Sequence, residues 1–216
     1  MGKSARDDDR AARRERPLSR RAFCVGACSA AALVAFGGAG AATAHAKVVR
    51  PPGGQDDDHL LSACIRCERC VQSCPRGVIV LSHLENGILN ARTPQMYLKA
   101  DYCDFCLDEN EGVPLCASRC PTGALAPSRA GSDKPIGVAS ITRDWCLAYH
   151  ATGCHACFDA CPFEAIVLDD EARPQVVAEK CNGCGACEAA CISLTAGSLE
   201  LESNATDRAI VVRPLE

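Results

Sequence analysis

Sixteen of the 18 cysteines in this 216-residue chain fall into four groups of four, and each group ends in a Cys-x-x-x-Cys step. The first is Cys64-x2-Cys67-x2-Cys70-x3-Cys74, followed by Pro75. The second, Cys103-x2-Cys106-x9-Cys116-x3-Cys120 with Pro121, carries an acidic insertion, Asp108, Glu109 and Glu111. In the third, Cys146-x7-Cys154-x2-Cys157-x3-Cys161 with Pro162, the insertion follows the first cysteine. The fourth, Cys181-x2-Cys184-x2-Cys187-x3-Cys191, is regular in spacing but has Ile192 where the others have proline.

Three thiolates two residues apart can wrap a loop around one face of a cubane cluster, while the fourth ligand comes from elsewhere in the chain. Proline after that fourth cysteine turns the chain away without offering a backbone donor. Gly183 and Gly185 suit a loop whose backbone lies close to a cluster. Structural zinc pairs one C-x2-C with another a dozen or more residues away and leaves the third and fourth cysteines of each group unexplained. A disulfide scaffold does not account for the repeat, and the haem pattern C-x-x-C-H is absent from the sequence. The spacing therefore points to four [4Fe–4S] clusters, with all sixteen cysteines as iron ligands. With one Trp, three Tyr and five Phe, the chain has little bulky apolar material, and clusters would supply much of its core.

The first 46 residues read as an address. Ser19-Arg20-Arg21-Ala22-Phe23 resembles the twin-arginine export motif, residues 22–46 carry no Lys, Arg, Asp or Glu, and Ala44-His45-Ala46 is an A-x-A cleavage pattern. Cleavage after Ala46 is expected; retention as an anchor is the alternative. Cys24 and Cys28 are assigned to the signal. An exported, pre-folded chain at the periplasmic or outer face of the cytoplasmic membrane follows from this reading. From Lys47 onward there are 15 basic and 23 acidic residues, a net −8, which argues against nucleic acid as a partner and suits a basic face on a redox partner.

Apolar pieces between the groups predict short strands: 77–81, 123–125, 136–141, and a hairpin from 165–168 through Asp169-Asp170-Glu171 to 175–177. The expected fold is α+β, a ferredoxin-like polyferredoxin of two pseudo-symmetric two-cluster units with short β-hairpins and short helices around the clusters. Spacing leaves the pairing of groups open. Nested pairing is preferred, with an outer unit of about 60–100 plus 175–216 around an inner unit of about 101–170; tandem units 60–130 and 140–216 are the alternative. The acidic insertion reads as a solvated or docking loop, His155 as a spacer, and Trp145 and Tyr149 as packing beside Cys146.

The twin-arginine segment, Arg50-Pro51-Pro52-Gly53, Ser62-Ala-Cys-Ile-Arg-Cys-Glu-Arg-Cys70, the irregular middle groups and Cys181-Asn-Gly-Cys-Gly-Ala-Cys187 together resemble the NapG/MauM type of exported ferredoxin-like protein. That resemblance implies a relay from a membrane iron–sulfur partner that oxidises quinol to an exported terminal enzyme or cytochrome, such as a nitrate reductase. No Gly-rich dinucleotide loop or catalytic constellation is present in the sequence, so an electron carrier is expected rather than an enzyme. An assembly factor for a redox enzyme is the competing class.

Overall fold

The computed structural model describes residues 28–29, 46–193 and 207–215. The chain divides into two units, Met1–Ala44 and His45–Glu216, and the fold below is that of the second. The export segment and its cleavage pattern lie almost wholly outside the described residues; of its two cysteines, Cys28 is described and is exposed. No helix among the described residues is long and apolar enough to cross a membrane.

The regular elements are short. Helix α1 (Asp57–Ala63) starts at an Asp56 cap, whose side chain accepts the His59 N–H at 3.0 Å, and ends at Cys64. Helix α2 (Arg69–Ser73) carries Cys70. Strands β1 (Ile79–Leu81) and β2 (Pro94–Met96) pair antiparallel, and α3 (Leu115–Ser118) then carries Cys116. The second half repeats this order: α4 (Ala156–Asp159) with Cys157, the hairpin β4 (Ile166–Leu168) and β5 (Pro174–Val176), then α5 (Ala186–Ala190) with Cys187. A hairpin thus separates the two cysteine groups of each half.

The third pairing was not legible. Strand β3 (Val138–Ile141) forms where the sequence predicts a strand, but its antiparallel partner is β6 (Ile210–Arg213), with Ile141 opposite Ile210 and Val138 opposite Arg213, about seventy residues further along the chain. Residues 123–125, expected to be extended, form bends instead, and the Leu125 N–H turns towards the Cys120 sulfur at 3.4 Å.

Small apolar clusters replace one large core, and cysteines belong to every one of them. A polar hub supports the first half. Arg50, 3% exposed, donates to Asp57 Oδ1 (2.6 Å), Asn90 Oδ1 (2.6 Å), Thr93 Oγ1 (2.9 Å) and the Pro94 carbonyl (2.9 Å). One guanidinium so ties the chain leading into the first group to α1, the turn before β2 and β2 itself, with charge-assisted bonds that offset its burial.

Candidate metal centres

The cysteines gather into four sets of four, and each set takes one cysteine from a neighbouring group. The first set is Cys64, Cys67 and Cys70 with Cys120, around a cavity of about 400 Å³, counting the part open to solvent. Helix α1 delivers Cys64, α2 presents Cys70, and Cys120 arrives from the end of α3. Cys67 is exposed. At Cys120 burial acts to raise the thiol pKa, yet the amides of Leu125, Thr122 and Ala124 and the Thr122 hydroxyl outweigh it and the pKa is lowered.

The second set is Cys74, Cys103, Cys106 and Cys116, around about 290 Å³ walled by Pro52, Val78, Ile79, Met96 and Pro114. Three of its four cysteines are buried, and burial is the main reason the Cys103 thiol is pushed up to about 12 and Cys116 well above its ordinary range. The fourth set is Cys161, Cys181, Cys184 and Cys187, around about 310 Å³. Two backbone amides point at its sulfurs, Ala165 at Cys161 (3.3 Å) and Ala139 at Cys181 (3.4 Å). Burial again raises Cys184 to about 11. The third set is Cys146, Cys154, Cys157 and Cys191: burial first, then its three companions, pushes Cys157 up to about 12.

The nested pairing preferred from the sequence is therefore not the arrangement found. Groups one and two exchange their last cysteines, Cys74 and Cys120, and groups three and four exchange Cys161 and Cys191. The physical reason is local: α2 packs on α3 and α4 on α5, so each Cys-x-x-x-Cys step bridges to the helix beside it. Of the irregular insertions that suggested an inner unit, the second group's is a surface excursion with Asp108, Glu109 and Glu111 all exposed, while the third group's buries Leu147 and Ala148 and turns outward from His150 to Gly153.

Among the described residues, no three His, Cys, Asp or Glu side chains converge as a single metal ion requires. Four sulfurs spread around a larger void, with amides aimed at them, match a polynuclear cluster better than zinc bound at about 2.3 Å from each sulfur. Neutral, buried thiols are poor occupants of such a space alone; a cationic iron core would draw off their protons. His155 faces Asp159 at 3.3 Å and the Gly153 carbonyl at 3.0 Å. Trp145 and Tyr149 pack against the Cys146 cluster, and the Tyr149 hydroxyl accepts from Gln175 at 2.8 Å. Sequence reasoning missed the amides of Leu125, Ala139 and Ala165; the shared placement of Leu125 and Ala165 a few residues past a Cys-Pro pair was the available signal. A cleft of about 840 Å³, counting open solvent, contains no cysteine and is walled by Lys47, Asp56, Asp57 and Asp58 beside the Arg50 hub.

Paired cysteine sets with sulfur-directed amides define a ferredoxin-type iron–sulfur protein. A family model described as a 4Fe-4S dicluster domain matches residues 63–124 and 152–194, one segment in each half. The methylamine utilization ferredoxin-type protein MauM of Methylorubrum extorquens is 36% identical over 165 residues, 70% of this chain and 71% of that protein. MauM of Paracoccus denitrificans is 35% identical over 78% of this chain and 76% of its own length, and the ferredoxin-type protein NapG of Escherichia coli is 35% identical over 67% and 66%. This chain belongs to the NapG/MauM family of ferredoxin-type iron–sulfur electron carriers.

Proposed function

We propose that the sixteen cysteines hold four [4Fe–4S] clusters in the sets described, and that the protein relays electrons from a membrane iron–sulfur partner that oxidises quinol to an exported terminal redox enzyme, such as a nitrate reductase. Each bound cluster supplies a one-electron couple. The chain's own residues do the rest. Apolar walls and buried cysteines keep water from the second and fourth sites, and amides directed at Cys120, Cys161 and Cys181 favour the more negative, reduced state.

The observation that carries this reading is that the sets adjoin. Cys74 packs into the cluster of Cys70 and Cys120 and also into that of Cys103 and Cys184. The Cys103 N–H donates to the Cys184 carbonyl at 2.8 Å, and Cys157, Cys161, Cys187 and Cys191 share another cluster. The sites thus run in file: first, second, fourth, third. The twin-arginine signal supports export to the periplasmic or outer face of the cytoplasmic membrane, where both partners would be met.

The test is chemical analysis of anaerobically purified protein together with EPR in a redox titration. About 16 iron and 16 sulfide per chain, with reduced-state signals that broaden one another, is the expected result. Zinc without sulfide would overturn the proposal, and about eight iron would leave two of the four sets unfilled.

A further inference from the structure

The body of this protein is acidic, −8 from Lys47 onward, yet the mouth of the first site is basic. Arg66, Arg69 and Arg92 line it against one carboxylate, Glu68, and all three arginines are exposed. At its centre lie exposed Cys67 and Ile65, the latter 64% accessible. Arg66 donates to the Ala91 carbonyl (2.9 Å) and the Leu89 carbonyl (3.2 Å), and Arg92 pairs with Glu68. These bonds join the cysteine loop to the turn before β2, so the exposed Ile88 and Leu89 continue the same face. At the other end of the file the cleft beside Cys154 is walled by Leu147, His155, Asp159 and Ile192 and has no Lys or Arg.

We propose that the basic rim over the first site is the docking face for an acidic surface on a redox partner protein, and that electrons cross between the two proteins there. The inference rests on the carrier reading above and adds where the partner binds and what charge it bears. The net charge of the body opposes an acidic partner while the three clustered arginines of the rim attract it, so the local field favours the orientation in which the exposed site faces the partner. Ile65, beside Cys67, gives the contact an apolar centre that charge alone lacks.

Two trivalent reagents of opposite sign test this on the loaded full-length protein. Reoxidation of the reduced protein by hexacyanoferrate(III) should slow as ionic strength rises, although net charge demands the reverse. Oxidation by hexaamminecobalt(III) should lack the rim's contribution. The double variant Arg66→Glu, Arg69→Glu should slow the anionic reagent about tenfold or more at low salt and remove its salt dependence. A variant with Arg69→Glu alone covers the case in which loss of the Arg66 bonds unsettles the loop.

A second readout needs no electron transfer: redox-inert hexacyanocobaltate(III) should bind the wild-type protein, seen as 59Co line broadening, and bind the variants more weakly. Rates that rise with salt for the anionic reagent, or anion binding unchanged in both variants, would overturn the proposal. So would rim-dependent sedimentation with phosphatidylglycerol vesicles but no effect on either reagent, which would assign the face to lipid. Failure to take up iron would sink the carrier reading instead, with anion binding still deciding whether the rim recognises negative charge.

Discussion

The first and fourth cysteine groups have the same spacing, C-x2-C-x2-C-x3-C, yet their loops are built differently. Both need left-handed backbone at the two corresponding positions: Gly183 (φ 77°) and Gly185 (φ 87°) in the fourth loop, Arg66 (φ 57°) and Glu68 (φ 63°) in the first. A Cβ on Gly183 would lie 2.5 Å from the Gly137 carbonyl oxygen and 2.6 Å from its nitrogen, and one on Gly185 would press on the Leu98 side chain at 2.7 Å. The inner loop is held by backbone packed on backbone. Facing solvent, the outer loop takes large charged side chains at the strained positions and uses them to brace the neighbouring turn. One motif therefore encodes two mechanical solutions, and the residues between the cysteines show which is buried.

The largest expected effect is that of iron removal. If the inner loop depends on close packing and the outer on polar bonds, an anaerobic ferrous chelator should strip iron in stages, starting at the site with the exposed Cys67. Helical circular dichroism should collapse only with the later stages, because the small core is organised around the inner cysteines. Loss of iron and structure in a single step would break the distinction between the two sites.

Next comes Arg50, the support on the outer side. Replacing it with alanine leaves Asp57, Asn90 and Thr93 without their shared donor, and the expected cost is roughly 3–5 kcal/mol, the usual penalty for breaking a buried charged network. Lysine should rescue little, since one ammonium cannot reproduce the fork. Thermal unfolding with iron content measures both. A near-neutral Arg50→Ala would mean that the outer half is held by something other than this hub.

Gly183→Ala against Arg66→Ala tests the comparison directly. The left-handed conformation costs an alanine about 1–2 kcal/mol, and the clash with Gly137 adds about 1–3 kcal/mol of overpacking. At Arg66 the conformation is already adopted by a non-glycine residue, and two exposed bonds are lost, so the change should stay within about 1–2 kcal/mol. Denaturant midpoints on loaded protein give the two values, and equal costs would remove the packing explanation.

Much of this was legible because ligand spacing is local. The quartets, the 165–177 hairpin and the special role of Gly183 and Gly185 follow from residues near one another in the chain. Pairing was not, since the exchanged cysteines Cys74, Cys120, Cys161 and Cys191 find their sets through helix packing, which spacing does not report. Strand β6 was hidden for the same reason: Ile210–Arg213 meets β3 across some seventy residues, beyond any local pattern. Arg50 stood in a segment singled out by resemblance, but a lone charge beside two prolines gives no sign of burial. The rim was present in the letters Arg66, Arg69 and Arg92, and only the turn before β2 brings Arg92 beside the other two.

The smallest effect concerns the helix that leads into the outer site, for which the described inner site has no counterpart. The backbone bond from His59, followed by the Arg129 guanidinium at 3.0 Å, holds the Asp56 carboxyl below its ordinary value of 3.8. A depressed carboxyl pKa stabilises the fold above the unfolded value and is lost as pH falls through the folded one, so its contribution is complete and flat from pH 6 to 8. Asp56→Ala should speed exchange of the His59 amide about three- to tenfold at any pH in that range, whereas Asp56→Asn should retain the cap and most of the protection. A difference between wild type and Asp56→Ala that changes across those pH values would point to another titrating group. Equal exchange in the two variants would show that the carboxylate's charge on Arg129, rather than its capping geometry, secures the entry to the outer site.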